Sequence, residues 1–323
     1  MRAVVRDRFG PPDVLEIREL DRPDVGADEV LVRVHAASLN PADWHYMTGL
    51  PYIARLAFGL RKPRSPRLGS DFAGTVESVG GNVTRLRVGD EVFGGKEGAL
   101  ADYIAVSEDR ALKKPSNLFF EEAAAVPVAA VTALQGLRDH GHIQAGQQVL
   151  INGSSGGVGT FAVQIAKAFG AEVTGVCSTR NVARARAIGA DQVIDYTQED
   201  FTLQGRDYDL MLDIAGNRTW SECKRVLNPR ATLVMVGAPD GNPLLGPLSH
   251  LVGIQLAGVG SSQRRAFFVA TIKRPDLEFL TDLLESGKVK PVIDDRRFQL
   301  SEIAEAFRYL GEGHAQGKIV INM

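Results

Sequence analysis

The chain has 323 residues, of which 44% are hydrophobic and 24% charged, and a formal net charge of −2. This length and composition predict a soluble globular protein of two domains, and the near-neutral charge argues against a nucleic-acid partner. Two cysteines cannot form a disulfide framework, no apolar run approaches the roughly 20 residues of a membrane-spanning helix, and the first residues lack a signal-peptide core, so the sequence predicts a cytoplasmic protein without an integral membrane segment.

The first 122 residues contain many short strand candidates, separated by Gly, Pro and Asp turn signals. This pattern predicts a partly closed β-barrel or sandwich. Near Glu121 the sequence becomes rich in Ala and Leu, which predicts a helix that Pro127 kinks or restarts. The predicted strands cover residues 3–5, 14–17, 30–34, 75–79 and 91–93.

Residues 148–180 predict a β-α-β unit with a phosphate-binding turn. The apolar run 149–151 has the length of a buried strand, a Gly-rich turn follows, apolar residues then recur at helical spacing as far as Phe169, and residues 173–177 form a second predicted strand. Glycines in this context let the backbone approach a pyrophosphate, which the free N–H groups of the helix bind. A turn that serves only packing is the alternative. The predicted cofactor contacts of the turn include Ser154, Gly156, Gly157 and Gly159.

The end of the second strand indicates which dinucleotide binds. NAD-binding proteins usually place a carboxylate there, about 20 residues beyond the glycines, to bind the ribose 2′-hydroxyl. Here the residues are Ser178, Thr179 and Arg180, with Arg184 one helical turn later. Hydroxyl groups and a guanidinium suit a 2′-phosphate, so the sequence predicts NADP(H) as the cofactor. The alternative is that Arg180 is an ordinary solvated arginine.

Beyond this unit, strands and helices alternate, which predicts a parallel doubly wound sheet. A helix at residues 279–284 ends at Gly287, and residues 289–323 return to a strand-like pattern that includes residues 318–321. A β-rich start and end around one β/α block predict two domains, formed by residues 1–122 with 266–323 and by residues 123–265. Within the block, the predicted strands cover 192–194, 210–214, 232–236 and 254–259, and the predicted helices 182–187 and 220–226.

Several phrases follow one another along nearly the whole chain. They are Met1-Arg-Ala-Val-Val, Ser38-Leu-Asn-Pro-Ala-Asp43, Gly69-Ser-Asp-Phe-Ala-Gly74, Val88-Gly-Asp-Glu-Val-Phe93, Gly153-Ser-Ser-Gly-Gly-Val-Gly159, Gly189-Ala-Asp191, Val193-Ile-Asp-Tyr196 and Gly313-His-Ala-Gln-Gly-Lys-Ile-Val-Ile321. Together they resemble the medium-chain dehydrogenase/reductase superfamily, in its zinc-independent quinone oxidoreductase branch. The last phrase is similar to reticulon-interacting NADPH oxidoreductases and their bacterial relatives. The resemblance implies an α/β fold, with a Rossmann doubly wound parallel sheet joined to a GroES-like β-barrel domain and the active site in the cleft between them.

The resemblance also implies which residues touch the cofactor. Thr132 matches a position near the nicotinamide, although a residue in a helix can equally serve packing. Gln316 stands where an arginine is frequent, which makes a contact from this side chain less certain. The other implied contacts are Ser155, Gly157, Val158, Ser178, Tyr196, Asn217, Ala266, Phe268, His314 and Ala315.

The residues at the expected zinc positions argue against a metal. Zinc dehydrogenases of this superfamily bind zinc through a Cys and a His, where this chain has Asn40 and Ser70. A carboxamide and a hydroxyl do not replace the thiolate and imidazole that zinc prefers. The structural zinc site of those enzymes needs four clustered cysteines, and this chain has only two. The spacing of His35, His45 and Asp71 fits no zinc pattern, so we expect no metal.

Without a Lewis acid, an electron-poor acceptor is easier to reduce than an unactivated ketone. We therefore expect hydride transfer from NADPH to a lipophilic quinone or α,β-unsaturated carbonyl. Asn40 is the first candidate to donate a hydrogen bond to the substrate oxygen or the nicotinamide, Asp43 to orient its neighbours, and Tyr46 to donate a proton. Capping or turn roles for Asn40 and Asp43, and a packing role for Tyr46, are the alternatives.

Two rival functions and one segment stay open. The chain is alternatively an NADPH-dependent aldehyde or ketone reductase, or a regulatory NADPH-binding protein without turnover, and a homodimer is possible. Residues 50–67 mix apolar side chains with five Arg or Lys residues and have no role in dinucleotide binding. This basic segment is a lid, an ordinary solvated insertion or, less favoured, a contact with a membrane surface.

Overall fold

The computed structural model describes residues 1–205, 207–237, 244 and 246–323, and its elements divide between two units. The terminal unit holds both chain ends and comprises Met1–Val131, Thr271–Gly287 and Pro291–Met323. The central unit comprises Thr132–Ala270 and Lys288–Lys290. The boundaries of the catalytic and cofactor-binding domains given above stay a prediction.

The first part of the terminal unit is rich in short strands. The strands predicted at 3–5, 30–34, 75–79 and 91–93 are confirmed, whereas the strands Tyr103–Ser107 and Ala111–Lys113 were not predicted. The strand predicted at 14–17 is wrong at its start, because two prolines favour the 3₁₀ turn Pro12–Val14 before the strand Glu16–Glu19. The elements are β1 (Arg2–Val5), β2 (Glu16–Glu19), β3 (Glu29–Leu39), α1 (Pro41–Thr48), α2 (Arg55–Phe58), β4 (Asp71–Val79), β5 (Glu91–Gly95), β6 (Tyr103–Ser107), β7 (Ala111–Lys113) and α3 (Phe120–Ala124).

A new helix begins at Pro127, which confirms the predicted restart. Proline is well tolerated in the first turn of a helix, where its missing N–H costs nothing. From here strands and helices alternate. The elements are α4 (Pro127–Gln135), β8 (Gln148–Asn152), α5 (Gly157–Ala168), β9 (Glu172–Cys177), α6 (Val182–Ala187), β10 (Gln192–Asp195), β11 (Tyr208–Asp213), α7 (Trp220–Lys224), β12 (Leu227–Met235), α8 (Pro247–Ala257) and β13 (Arg264–Phe267).

The central unit is built on one six-stranded sheet with the order β10-β9-β8-β11-β12-β13. All its described pairings are parallel, and Ile151 of β8 lies in register with Gly175 of β9 and Leu212 of β11. This is the doubly wound order of dinucleotide-binding sheets, so the predicted parallel sheet is confirmed. Strands covered on both faces need apolar side chains throughout, and Leu150 and Met211 are fully buried.

The strand predicted at residues 254–259 is wrong, because this segment lies mainly in α8. A short continuous apolar run fits a buried strand or a buried helix equally well, and its pattern cannot separate them. The sixth strand is β13, which pairs only with β12 among the described strands and starts with two arginines. An edge strand of this kind needs no apolar run, which is why the sequence pattern did not reveal it.

The chain returns to the terminal unit through α9 (Arg274–Glu285), which confirms the predicted helix, and Gly287 follows with a φ of +69°. The larger sheet of the terminal unit has the order β14-β15-β3-β4-β5-β7, where β14 is Phe298–Gln299 and β15 is Ile319–Asn322, and β6 also pairs with β3. The strand-like prediction for 289–323 missed the helix Ile303–Gly311, whose Phe307 packs with Met47 and Ile319 in the core. The last elements are β14 (Phe298–Gln299), α10 (Ile303–Gly311) and β15 (Ile319–Asn322).

Candidate functional site

The glycine turn (residues 153–159) lies at the carboxyl edge of the parallel sheet, between β8 and α5. The order of strands reverses between β8 and β11, the place where such sheets bind ligands. Gly153 has a φ of +94°, and a Cβ on Gly159 would stand 2.0 Å from the carbonyl oxygen of Gly153. At Gly156 the nearest atom to a Cβ is 3.9 Å away. The turn therefore packs tightly on one side and leaves room for a phosphate on the other, where the N–H groups of the first turn of α5 point.

One buried amide holds two serine hydroxyls, that of Ser155 within this turn and that of Ser178 just after β9. Asn181 Nδ2 donates to Ser155 Oγ at 3.1 Å and to Ser178 Oγ at 3.2 Å. Because both serine oxygens act as acceptors here, both hydroxyl protons remain available to an external acceptor such as a phosphate. Asn181 was not singled out from the sequence, although it stands at the amino end of α6.

The residues of the glycine turn differ in whether their hydrogen-bond donors are available to a cofactor. Ser154 is fully buried, and its hydroxyl and its backbone N–H both donate to the carbonyl oxygen of Val176. Its donors are thus used inside the unit, which weighs against a direct cofactor contact. Gly175 allows this packing, since a Cβ there would stand 2.8 Å from Ser154 Oγ. The predicted contacts of Ser155, Gly156, Gly157, Val158 and Gly159 stay predictions that this geometry favours.

The predicted ribose end also contains an acidic residue that the sequence reading did not weigh. Arg180 is exposed on the 3₁₀ turn Thr179–Asn181, and the exposed Tyr196 follows β10. Asp195 ends β10 opposite Cys177, and hydrogen bonds from Thr179 and Thr197 hold its pKa below the usual carboxyl value. Its charge is therefore present at neutral pH and would work against the binding of a phosphate near this end of the sheet.

A second buried network joins the ends of β8 and β11. Asp213 Oδ1 accepts hydrogen bonds from Asn152 Nδ2 at 2.8 Å and from the backbone N–H of Gly216 at 2.9 Å. Asn152 Nδ2 also donates to Asn217 Oδ1 at 3.2 Å. Burial raises the pKa of Asp213. The network fixes the loop after β11 against the end of β8, and so positions Asn217, a predicted cofactor contact, near the glycine turn.

In the terminal unit, Asn40 and Asp43 begin α1 as a pair. The N–H of Asn40 donates to Asp43 Oδ2 at 2.8 Å, and Ser70 Oγ donates to Asp43 Oδ1 at 3.0 Å. The capping role considered for Asp43 is therefore present in the structure. Burial raises the pKa of Asp43 to about 6, against the hydrogen bond from Asn40. Any further role of Asp43 in catalysis stays a prediction.

A buried lysine joins Asn40 to Asp71. Lys318 Nζ donates to Asn40 Oδ1 at 2.6 Å, to Asp71 Oδ2 at 3.2 Å and to the carbonyl oxygen of Leu39 at 3.0 Å. Asn40 Nδ2 donates to Asp71 Oδ2 at 2.8 Å, which closes a three-residue ring. Lys318 and Asn40 are each 3% exposed and Asp71 is fully buried. We call these three residues the lysine clamp.

Asp71 anchors the lysine clamp to two further elements. Its Oδ2 also accepts from Ser38 Oγ at 3.0 Å, and its Oδ1 accepts from the N–H of Val128 at 3.0 Å, in the first turn of α4. A helix amino terminus stabilises a nearby carboxylate. No role was assigned to Lys318 from the sequence, although it stands as a single cation directly before the apolar strand β15.

The histidines considered as an improvised metal site have other partners. His35 Nε2 lies 3.0 Å from Thr75 Oγ1, and its ring packs on Phe120. His45 Nδ1 lies 2.9 Å from the carbonyl oxygen of Leu50. Across the described ranges of the chain, no group of three His, Cys, Asp or Glu side chains could hold a metal ion. The expectation of a metal-free site stays a prediction, supported by the ligand chemistry at Asn40 and Ser70.

The remaining predicted residues lie on several elements. Tyr46 is half-buried on α1 with its ring edge-on to Phe58, and burial, aided by Asp43, raises its pKa.

Thr132 is buried in α4 of the central unit. Ala266 lies in β13, and Phe268 just beyond it stacks on the ring of His140 at 4.3 Å. His314 and Ala315 lie between α10 and β15. The roles implied for these residues rest on the resemblance alone.

The basic segment (residues 50–67) forms two short helical turns, Tyr52–Ala54 and Arg55–Phe58. Leu56 is 65% exposed, whereas the guanidinium of Arg55 lies over the rings of Phe9 and Tyr52. In the part of the chain that the structure describes, no helix has the length and apolar content needed to cross a bilayer. The lid, the insertion and the membrane contact stay predictions for this segment.

Two parts of the chain match protein families. Residues 26–116 match the alcohol dehydrogenase GroES-like domain, and residues 188–321 match the family described as zinc-binding dehydrogenase. The first match identifies the strand-rich start as GroES-like, as the resemblance implied. The description of the second family contrasts with Asn40 and Ser70, which this chain has at the expected zinc positions.

The chain is also similar to whole proteins. It is 34% identical to the mitochondrial NAD(P)H oxidoreductase RTN4IP1 of Mus musculus, over 100% of this chain and 89% of that protein. It is 34% identical to the chloroplastic quinone-oxidoreductase QR1 of Triphysaria versicolor, over 99% and 98%. Among solved structures it resembles the quinone oxidoreductase of Coxiella burnetii, with a TM-score of 0.86 and 31% identity over 100% and 99%. The Escherichia coli quinone oxidoreductase complexed with NADPH gives a TM-score of 0.85 and 25% identity over both chains in full.

Proposed function

Because this chain belongs to the quinone oxidoreductase branch of the medium-chain dehydrogenase/reductase superfamily, we propose that it transfers hydride from NADPH to a quinone or an α,β-unsaturated carbonyl without a metal ion. The observation that carries the proposal is the glycine turn with two serine hydroxyls beside it, both held by Asn181 with their protons available. This arrangement fits the phosphates of a dinucleotide. Relatives named as NAD(P)H, quinone and alkenal/one oxidoreductases support the same class of reaction.

The preference for NADPH over NADH rests on the end of β9. Ser178 and Arg180 offer a hydroxyl and a guanidinium where a carboxylate would favour NAD. Asp195 works against this preference, so we expect a measurable but incomplete discrimination. Replacing Arg180 with Ala should weaken NADPH binding and leave NADH binding nearly unchanged, as measured by titration of each nucleotide. Equal effects on both nucleotides would contradict the assignment of Arg180 to the 2′-phosphate.

When NADPH is bound, C4 of its nicotinamide supplies the hydride. The chain's own residues must then orient the acceptor and stabilise the charge that develops on its oxygen. We assign the first task to Asn40, which has a second Nδ2 hydrogen beyond the one given to Asp71. Tyr46 is protonated at neutral pH, as a tyrosine ordinarily is, and burial raises its pKa further, so it can donate a hydrogen bond or, once negative charge develops on the acceptor oxygen, the proton that completes the reduction.

The choice of an electron-poor acceptor follows from the residues at the expected zinc position. Asn40 and Ser70 offer a carboxamide and a hydroxyl, which polarise a carbonyl far less than zinc does. A quinone or an enone accepts hydride without that assistance more readily than a saturated ketone. The alternatives are an NADPH-dependent aldehyde or ketone reductase and a binding protein without turnover.

Oxidation of NADPH, followed by its absorbance, tests these possibilities with three acceptors. The proposal predicts turnover with a small quinone and with an enone, and slower or no turnover with a saturated aldehyde. Faster turnover with the aldehyde would favour the ketone-reductase alternative. Tight NADPH binding without turnover on any acceptor would favour the binding protein.

Several finer expectations stay proposals. The cytoplasmic location rests on the sequence alone, and several relatives have names that place them in mitochondria or chloroplasts. A homodimer, the domain boundaries and the position of the active site relative to the two domains also stay predictions. Sedimentation of the purified protein would test the first of these three.

A further inference from the structure

We infer that Lys318 is a positioning residue, which fixes the side-chain amide of Asn40 so that one N–H is presented to the acceptor. This inference rests on the proposed function, since it assigns the geometry of a group that acts in that reaction. Lys318 lies 278 residues from Asn40 in the sequence, and the resemblance assigned no role to it.

The hydrogen bonds of Lys318 leave its ammonium group no donor for direct contact with a substrate. An ammonium group has three N–H donors and no acceptor. Here the three donors are matched by three acceptors, which are the carbonyl oxygen of Leu39, Asn40 Oδ1 and Asp71 Oδ2. The side chain is 3% exposed. Lys318 therefore acts only on its neighbours.

The hydrogen bonds of Asn40 show that the lysine clamp fixes the orientation of its side-chain amide. Its carbonyl oxygen faces the Lys318 ammonium at 2.6 Å, and its amide nitrogen faces the Asp71 carboxylate at 2.8 Å. A flipped amide would place N–H groups against the ammonium and an oxygen against the carboxylate, and both contacts would be repulsive. The lysine clamp thus selects one of the two amide orientations. It leaves the second Nδ2 hydrogen of Asn40 without an acceptor among the described residues.

The opposite charges of Lys318 and Asp71 also make the burial of the lysine clamp tolerable. Asp71 is fully buried and accepts four hydrogen bonds. Among the described residues, Lys318 is the only one of these donors that carries a charge. A buried carboxylate without an opposite charge is strongly destabilising. Lys318 therefore has two separable effects, since it balances the charge of Asp71 and it orients the amide of Asn40.

Two variants separate these effects. Lys318→Met removes the ammonium while keeping a similar length, and it leaves the Asp71 charge unbalanced. The double variant Lys318→Met with Asp71→Asn removes both charges, and the carboxamide oxygen introduced by the second change can still accept from Asn40 Nδ2. We expect a lower Tm in the single variant and recovery of most of that loss in the double variant, whose cluster is neutral.

The change in kcat of the two variants should not parallel the change in their Tm. In both variants we expect kcat with an enone to fall by about 10- to 100-fold, because misplacing one donor in the reacting geometry has an effect of this order. The Kd for NADPH should change by less than about twofold, since we assign the phosphate contacts to the central unit. The matched control is Lys113→Met, which breaks the exposed pair of Lys113 and Asp90, 3.0 Å apart in the same unit, and should leave kcat unchanged.

A double variant that regains both Tm and kcat would overturn the inference, because Lys318 would then serve stability alone. A wild-type level of kcat in Lys318→Met would overturn it too, as would an equal loss in the control. A wild-type protein that turns over no acceptor would instead refute the proposed function itself, and the positioning role with it. Wild-type turnover with a selective loss of kcat in both variants supports the inference.

Discussion

Replacing Asn181 with Leu tests how the central unit orients its phosphate donors. Leu has a similar shape, so the change removes hydrogen bonds without leaving a large cavity. The variant loses the two donations from Nδ2 to Ser155 and Ser178, each worth about 0.5–1.5 kcal/mol. It also removes Asn181 Oδ1, a buried acceptor without a partner among the described residues, whose burial costs about 1–3 kcal/mol. The two terms nearly cancel, so we expect the stability of the fold to change by less than about 1 kcal/mol.

The affinity for NADPH should fall much more than the stability. Without the amide, the two serine hydroxyls are free to turn and no longer have their protons directed at a phosphate. A hydrogen bond to a charged group is worth about 1.5–3 kcal/mol, which corresponds to a Kd raised by about 10- to 100-fold. Titration of NADPH by fluorescence measures the Kd, and thermal unfolding measures stability. The control is Asn228→Leu, which removes the bond from Asn228 Nδ2 to Asp209 Oδ1 at 2.7 Å in the same unit.

A Kd within about twofold of the wild-type value would refute this reasoning, since one hydrogen bond to phosphate is worth more than that. An equal loss of affinity in the Asn228 control would refute it as well. A large loss of stability in Asn181→Leu would show that the amide serves mainly the fold.

Three further outcomes follow from the structure. Gly159→Ala should lower Tm and NADPH affinity because its Cβ would meet the Gly153 oxygen at 2.0 Å, whereas Gly156→Ala, with its nearest contact at 3.9 Å, should keep a Tm near the wild-type value. The folded-state pKa of Asp43, about 6, lies above the usual carboxyl value of 3.8, so its contribution to stability is present at low pH and lost as pH rises. Between about pH 4 and pH 7 the wild type should lose about 2 kcal/mol relative to Asp43→Asn, as measured by chemical denaturation. Elemental analysis should find far less than one zinc per chain, and activity should survive chelation.

Each of these outcomes has a clear opposite. Similar Tm values for the two glycine variants would show that the turn relaxes around a methyl group. If the stability of the wild type and that of Asp43→Asn changed with pH in the same way, the carboxyl of Asp43 would not titrate in this pH range. Stoichiometric zinc, or activity abolished by a chelator and restored by zinc, would contradict the metal-free assignment.

The parts of the fold that the sequence revealed are those with a strong local pattern. The apolar run of β8, the glycine turn and the helical spacing of α5 lie within one stretch, so their order alone predicted the β-α-β unit. The replacement of zinc ligands by Asn40 and Ser70 was equally visible, because it concerns residue identity and not position in space. The strand β13 and the helix α8 were misread because edge strands and buried helices have weak patterns.

The parts of the site that the sequence did not reveal depend on residues brought together only by folding. Lys318 meets Asn40 across 278 positions of sequence, and Asn152 meets Asp213 across 61. Asn181 was close to the residues considered for the ribose, but its side chain turns inward to the serines and not toward the cofactor. Such partners carry no spacing signal, since no helical or strand period relates them.

The central claim is that this chain moves a hydride from NADPH to an electron-poor carbon, and isotope transfer tests it most directly. NADPH with deuterium at both C4 positions, incubated with the protein and an enone, should yield a saturated product with deuterium on the β-carbon, as seen by mass spectrometry and NMR. NADPH that is oxidised without any deuterium in the product, or that is not oxidised at all with any acceptor, would contradict the account.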